Sequence, residues 1–351
     1  MTRRKTKKVK VGRIAIGGDS PISVQSMTNT DTRDVKSTIQ QVLELENAGC
    51  DIVRIAIFDE SCINTIREIK KETGIPLVAD IHFDYRLALA SIDNGIDKLR
   101  INPGNIGGHD AVKQVVDAAK EKNIPIRIGV NAGSLSSDIL NRFGNTPTGM
   151  VESALEHVAI LEKLGYDNIV VSLKASDVVK TIEAYRLISQ RVDYPLHLGV
   201  TEAGTAFSGT IKSSVGIGAL LAQGIGDTLR VSLTASPVEE VRVGREILKA
   251  LGLKTSGVEI ISCPTCGRCN IDLFNVAEKL QDELKDIEHP LKVAVMGCVV
   301  NGPGEAREAD IGIAGGKGRV ALFKKGKIIG TIPEEKALET LLSEIREMVG
   351  K

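Results

Sequence analysis

The 351-residue sequence predicts an α/β protein of two domains, a TIM (β/α)8 barrel followed by a smaller α+β domain. Three observations carry this. Through residue 250, short β-branched runs alternate with longer segments of helical periodicity, the pattern of repeated βα units around a parallel sheet. Eight such runs can be counted, and eight units in about 250 residues is the arithmetic of a barrel. Beyond residue 257 the rhythm changes, with small strands, a hairpin turn and cysteines gathered on loops. An open doubly wound sheet would leave the regular strand count without a reason.

In chain order, the start MTRRKTKKVKVGRI is basic and runs into alternating valine and isoleucine, which reads as a solvated strand or tail. It lacks a secretory apolar core, and nowhere do about 18 apolar residues run together, so a soluble, cytoplasmic protein is expected. The barrel strands are SVQSM (23–27), DIVRIAI (51–57), IPLVADI (75–81), KLRIN (98–102), IPIRIGV (124–130), NIVVSLK (168–174), PLHLGV (195–200) and DTLRVSL (227–233). Helices over 37–48, 61–72 and 150–164 each precede a glycine, Gly49, Gly74 and Gly165, as C-terminal stop. A helix over 238–250 completes the barrel domain (1–250), and LGLKTSG (251–257) is the connector. The second domain (258–351) holds VEIIS, a cysteine loop, a helix over 273–284 and LKVAVMG. It continues with IGIAGG, RVALFKKG and KIIGTIP, turned at KKGK, and a terminal helix over 334–348.

With 45 basic and 45 acidic residues and 3% aromatics, no overall field draws this chain to nucleic acid or an anionic membrane, and little is present to stack bases. Functional charge is therefore local. Arg54, Arg100, Arg127 and Arg230 each sit inside an otherwise apolar strand, and Lys174 closes another. A buried guanidinium is costly unless paired, so five cations at comparable strand positions imply an anionic partner or several carboxylates at the barrel's C-terminal mouth. Singly, each is accounted for by a salt bridge to Asp80, Asp84, Asp227 or Glu202. As a set they point to an anion such as a diphosphate, whose oxygens match arginine forks. The glycine-rich stretch 201–227 follows the seventh strand, where barrels bind phosphate. Asn102, in the NPGNIG turn, either holds a substrate or forms an Asx-turn. Glu202 and His82 stand at strand ends, where barrel catalytic groups are found, and His197 reads as core.

The cysteines form a second constellation. Cys263, Cys266 and Cys269 lie in CPTCGRC and Cys298 in MGCVVNGPGE, while Cys50 and Cys62 stand alone. Cys-x2-Cys lets two thiolates reach one metal centre from a tight loop, and the distant CVVNGPG turn can close the set, which fits iron-sulfur or zinc. Cys-x2-Cys-x2-Cys also begins like a bacterial ferredoxin run, but no Cys-Pro completes it.

QSMTNTDT, DIVRIA, ADIHFDYRLA, KLRINPGNIG, IRIGVNAGSL, PLHLGVTEAG, GIGDTLRVSL, ISCPTCGR and VMGCVVNGPGEA together resemble the bacterial 4-hydroxy-3-methylbut-2-en-1-yl diphosphate synthases. The resemblance runs in order through both domains. It implies a barrel joined to a 4Fe-4S domain resembling those of sulfite and nitrite reductases. It also implies reductive ring opening of 2-C-methyl-D-erythritol 2,4-cyclodiphosphate with loss of water, in the non-mevalonate isoprenoid pathway. Flavodoxin or ferredoxin would supply two electrons, one at a time, to a homodimer in which one chain's cluster domain covers the other's barrel mouth. Carried onto this sequence, the cluster ligands are Cys263, Cys266, Cys298 and Glu305, with Cys269 a bystander. A carboxylate is a harder, weaker iron ligand than a thiolate, so its release would open one iron to substrate. The five strand-borne cations match the family's diphosphate-binding positions. His82, Asn102 and Asn131 join the substrate site, and Glu202 matches its proton-handling residue. The rival ligand set, three loop cysteines plus Cys298, would give a closed electron-transfer cluster. Rival functions are a pterin- or corrinoid-linked methyltransferase barrel and an iron-sulfur electron carrier.

Overall fold

Short β-branched runs form the strands of a closed barrel. They are β3 (Ser23–Met27), β4 (Ile52–Ala56), β5 (Leu77–Asp80), β6 (Lys98–Ile101), β7 (Ile126–Asn131), β8 (Ile169–Lys174), β9 (His197–Leu198) and β10 (Thr228–Leu229), preceded by a hairpin of β1 (Val9–Val11) and β2 (Ile14–Ile16). The computed structural model describes residues 2–254, 257–285, 287, 289–298 and 306–350, and the chain divides into Met1–Lys254 and Thr255–Lys351. The eight parallel strands run in the order β8-β7-β6-β5-β4-β3-β10-β9. The ring closes through a parallel bridge between Val171 and Leu196, with the Val171 N–H donating to Pro195 O at 2.9 Å.

The first six barrel strands match their predicted runs, but β9 and β10 are far shorter than the 195–200 and 227–233 expected. The Arg230 N–H still donates to Leu198 O (2.9 Å), but farther on the backbone finds other partners. The Leu233 N–H donates to the carboxylate of Glu240 (3.1 Å), on the last barrel helix, Pro237–Ala250, instead of to a neighbouring strand.

Side chains alternate along a strand, so Val53, Ile55, Leu77, Ala79, Leu99, Ile101 and Ile128 join the main apolar core beneath the helices. The inward residues nearest the strand starts, Ile52, Val78 and Val170, pack instead with Val9, Val11 and Ile16. The N-terminal segment is thus a corrected expectation. Its valines and isoleucine are buried as the floor of the barrel because they supply the only apolar cover for that inner ring among the described residues.

Three of the barrel helices start where an aspartate accepts an early N–H. Asp34 caps Val35–Asn47, Asp84 caps Tyr85–Asp93 and Asp177 caps Val178–Ser189. Gly49 (φ 84°) and Gly165 (φ 67°) end their helices in the left-handed region, as predicted. Gly74 does not, because the chain already leaves the helix at Thr73, in an extended conformation.

In the second unit, β11 (Val258–Ser262), β12 (Leu291–Met296), β13 (Ile311–Gly315), β14 (Arg319–Lys324) and β15 (Lys327–Pro333) form one sheet in sequence order. The first three are parallel and the last two antiparallel. The helices Leu273–Leu284 and Ala337–Met348 bury Leu280, Leu341 and Ile345 against Val293, Val295, Ile311 and Ile313. Among the described residues no helix is long and apolar enough to cross a membrane.

Candidate functional site

The upper interior of a TIM barrel is ordinarily filled by branched aliphatics; here the inward positions carry charge. Alternation that sends Ile52 and Val78 to the floor sends Arg54 and Asp80 upward on β4 and β5, and sets Arg100, Arg127 and Lys174 on β6, β7 and β8. Arg100 and Arg127 are register partners, as are Asn131 and Lys174. With Arg230, His82, Ser172, Thr201 and Ser232 they line a cavity of about 210 Å³. All five cations singled out from the sequence therefore meet in one place.

Their pairing differs from that expected. Asp80 does serve, with Arg100 Nη1 at 3.0 Å and Arg54 Nε at 3.9 Å. Asp84 instead pairs with Arg86 (2.8 Å) while capping its helix, and Asp227 pairs with Arg3 (3.1 Å) at the start of the chain. Arg230 is held by Glu240 (3.1 Å), a helical carboxylate with no strand signal to reveal it, which also accepts from Ser26 Oγ (3.0 Å). The thioether of Met27 lies between two guanidiniums, 3.0 Å from Arg54 Nε and 3.7 Å from Arg230 Nη1.

Arg127 is 1% exposed, and none of its three guanidinium nitrogens has a partner among the described residues. Lys174 is buried as well. Burial, and then the surrounding guanidiniums, weaken the hold of Lys174 on its proton. Burial would push the Asp80 carboxyl up, but Arg54, His82 and Arg100 outweigh it and hold it well below the usual range. Among the described residues, five cations thus face this cavity with two carboxylates, Asp80 and Glu240, to answer them. Such a cavity is complementary to a polyanion.

Two glycines make room for these side chains. A Cβ on Gly129 would lie 2.6 Å from Arg100 Nε, and one on Gly199 would lie 2.8 Å from Lys174 Nζ and 2.7 Å from Arg230 O. His82 stands half exposed at the rim, its Nε2 2.8 Å from Arg100 Nη1 and 3.5 Å from Asp80.

Two predicted site residues lie outside the cavity lining. Asn102 accepts the N–H of Gly104 (3.1 Å), the Asx-turn alternative. Glu202 follows the lining residue Thr201 and is exposed, at a left-handed φ of 52°. Ser172, Thr201, Ser232, Glu240 and the two glycines were not legible as site residues, since single hydroxyls and glycines acquire meaning only from what faces them.

In the second unit the cysteines stand at the C-terminal ends of parallel strands. Cys263 follows β11 directly, and Cys298 comes two residues after β12. Gly297 organises the loop between them. Its N–H donates to Cys263 Sγ (3.2 Å), its carbonyl accepts from Asn270 N (2.8 Å), and a Cβ there would lie 2.5 Å from Cys269 Sγ. Cys269 also closes a turn onto Cys266 O (2.9 Å), and its thiol donates to Ile271 O (3.3 Å). Cys266 is exposed at the loop tip. Among the described residues no three Cys, His, Asp or Glu side chains converge on one point that would hold a single metal ion. Glu305 lies outside the described residues.

The GcpE TIM-barrel domain family matches residues 6–245, and the GcpE protein C-terminal domain family matches residues 259–347. A relative from Caldanaerobacter subterraneus subsp. tengcongensis, named 4-hydroxy-3-methylbut-2-en-1-yl diphosphate synthase (flavodoxin), is 63% identical over 348 residues, covering 99% of this chain and 98% of the relative. One of the same name from Geobacter sulfurreducens is 58% identical over 350 residues, covering 99% of each. Among solved structures, 3-dehydroquinate dehydratase from Geobacillus kaustophilus superposes with a TM-score of 0.52 at 15% identity, over 71% of this chain and 99% of its own. The Plasmodium falciparum HPPK-DHPS structure does so at 0.52 and 14%, over 70% of this chain and 48% of its own. At that identity the likeness speaks for the barrel fold alone. Matched in both of its units and along nearly the whole length of these relatives, the chain belongs to the GcpE family.

Proposed function

We propose that this chain, like the relatives it matches, forms 4-hydroxy-3-methylbut-2-en-1-yl diphosphate, acting as an oxidoreductase of the non-mevalonate isoprenoid pathway. The substrate is 2-C-methyl-D-erythritol 2,4-cyclodiphosphate, its ring is opened with loss of water, and reduced flavodoxin is the electron donor. The observation that carries the reading is the barrel cavity, where five cations and two carboxylates leave a site in need of a polyanion.

The diphosphate lies against Arg54, Arg100, Arg127, Lys174 and Arg230. Asp80 and Glu240 fix three of these forks before substrate arrives, so little ordering is left to binding. Arg127, with no partner of its own, offers every N–H to the ligand. His82, Asn131, Ser172, Thr201 and Ser232 orient the rest of the molecule by hydrogen bonds. Glu202, on the rim, handles the proton of the departing hydroxyl, and Asn102 shapes the neighbouring loop.

Cys263, Cys266, Cys298 and Glu305 would hold a 4Fe-4S cluster, which would supply the two electrons one at a time. The donor set fits such a group. Cys263 accepts an N–H, as a ligating thiolate does, whereas Cys269 donates to a carbonyl, as a thiol does. Two chains form a homodimer and share each active site.

Anaerobically purified protein, reduced and supplied with the cyclic diphosphate, is the direct test. Turnover with a reducible iron-sulfur spectrum is expected, and Arg127→Met should lower kcat/KM about a hundredfold or more, as befits removal of a buried charged contact. A protein that carries the cluster yet neither binds nor turns over the cyclic diphosphate would leave electron transfer as the better reading. Methyl transfer without a cluster would favour the methyltransferase.

A further inference from the structure

Below the cavity the barrel holds a second polar layer that diphosphate binding does not directly use. Lys98 begins β6 two residues below Arg100 on the same inward face, and its register partner on β5 is Val78 of the floor. It is 0% exposed, and its Nζ has no partner. The inward charged and titratable groups around it are Arg54 from β4, Asp80 from β5, Arg100 from β6 itself, Arg127 from β7, Lys174 from β8, His197 from β9 and Arg230 above β10. From β3 come only uncharged groups, Ser23, Gln25 and Met27, and Glu240 reaches in from the last barrel helix. Asp80 is committed to Arg100 and Arg54, and Glu240 to Arg230. No carboxylate among the described residues is left to answer Lys98.

An unpaired ammonium in such a place is far costlier than a neutral amine. Burial, then Arg127 and Arg54, weaken the hold of Lys98 on its proton. Burial, then Arg127 and Lys174, likewise weaken the hold of His197 on its proton. A guanidinium cannot relieve this crowding, because it retains its charge throughout the working range. An amine can.

We propose that Lys98 is a second-layer anion-site residue of the barrel, an amine that stands neutral in the free protein and takes up a proton when a diphosphate group settles into the cavity above it. The inference rests on the diphosphate reading of that cavity. The step balances simply: the amine lone pair binds one solvent proton, and no bond of the ligand changes. The incoming negative charge offsets the repulsion from Arg127 and Arg54, and the new ammonium adds attraction from below. Because the bound state holds one more proton than the free state, affinity rises as pH falls between the two proton affinities of the amine.

The test uses the full chain and inorganic pyrophosphate, titrated calorimetrically in buffers of different ionisation enthalpy. The difference between wild type and the variant Lys98→Met separates the proton taken up by Lys98 from any that pyrophosphate itself exchanges. Lys98→Met, an unbranched side chain one atom shorter that carries no titrating group, should lower net proton uptake by about one proton. It should also weaken binding roughly tenfold, the effect of one charge acting across about 10 Å of protein interior. Its thermal unfolding temperature should hold or rise, since a buried unpaired amine has been removed, whereas a purely structural lysine would give the reverse. Unchanged uptake and affinity in Lys98→Met would overturn this proposal alone. A wild-type protein that does not bind pyrophosphate would overturn the underlying reading, and this one with it.

Discussion

Gly129 and Gly199 show how finely the site depends on single residues. Neither has a left-handed φ, so their role is spatial: the nearest atoms to an added methyl are Arg100 Nε at 2.6 Å and Arg230 O at 2.7 Å, with Lys174 Nζ at 2.8 Å. At Gly129 the obstructing atoms belong to a long side chain, which can swing aside at the expense of its bond to Asp80. Gly129→Ala should therefore remain folded, losing about 1–3 kcal/mol of stability, while kcat/KM drops about a hundredfold, as a displacement near 1 Å does elsewhere. A denaturant melt and steady-state kinetics on the same preparation separate the two effects, and full activity would show that Arg100 does not need its present position. The five cations themselves were legible because a charged residue in an apolar run has no bland explanation five times over. Glu240 and the glycines were not, since nothing in their own segments is anomalous; their meaning comes from Arg230, Arg100 and Lys174 across the barrel.

At the scale of elements, the cysteine loop and β12 act together. Gly297 closes β12 against the loop by donating to Cys263 and accepting from Asn270, and its lack of a side chain admits Cys269. The two loop cysteines therefore occupy opposite hydrogen-bonding roles. Cys263→Ser should abolish the visible absorption of the cluster. Cys269→Ser, whose hydroxyl can still donate to Ile271 O, should leave absorption and turnover within about twofold of wild type, the cost of exchanging one modest hydrogen bond for another. The reverse pattern would return the ligand set to three loop cysteines plus Cys298. Spacing had identified this loop as a soft-metal site, but it could not say which thiol accepts and which donates, because that depends on β12, which begins more than twenty residues later in the chain. The same limit misread the N-terminal hairpin. A lysine-rich start looks solvated until Ile52, Val78 and Val170 are seen to need a cover.

At the scale of the whole molecule, chain path bears on how two chemically distinct sites cooperate. In a βα barrel each helix returns to the N-terminal face of the strands, so the helix Pro237–Ala250 delivers the chain to the face opposite the cavity. The helix has 14 residues, a rise of about 21 Å. In the proposed homodimer each barrel is served by its partner's cysteine loop. Two inactive variants then complement each other. Arg100→Met disables the barrel and Cys298→Ser the cluster, and a mixed dimer retains one intact barrel facing one intact cluster. Co-expressed with different affinity tags and purified as verified heterodimers, the pair should recover up to about half the wild-type activity per dimer, since one of two symmetric sites is restored. Recovery that grows with dilution-sensitive dimer content would tie it to association. Verified heterodimers that stay inactive would place both halves of each active site in a single chain.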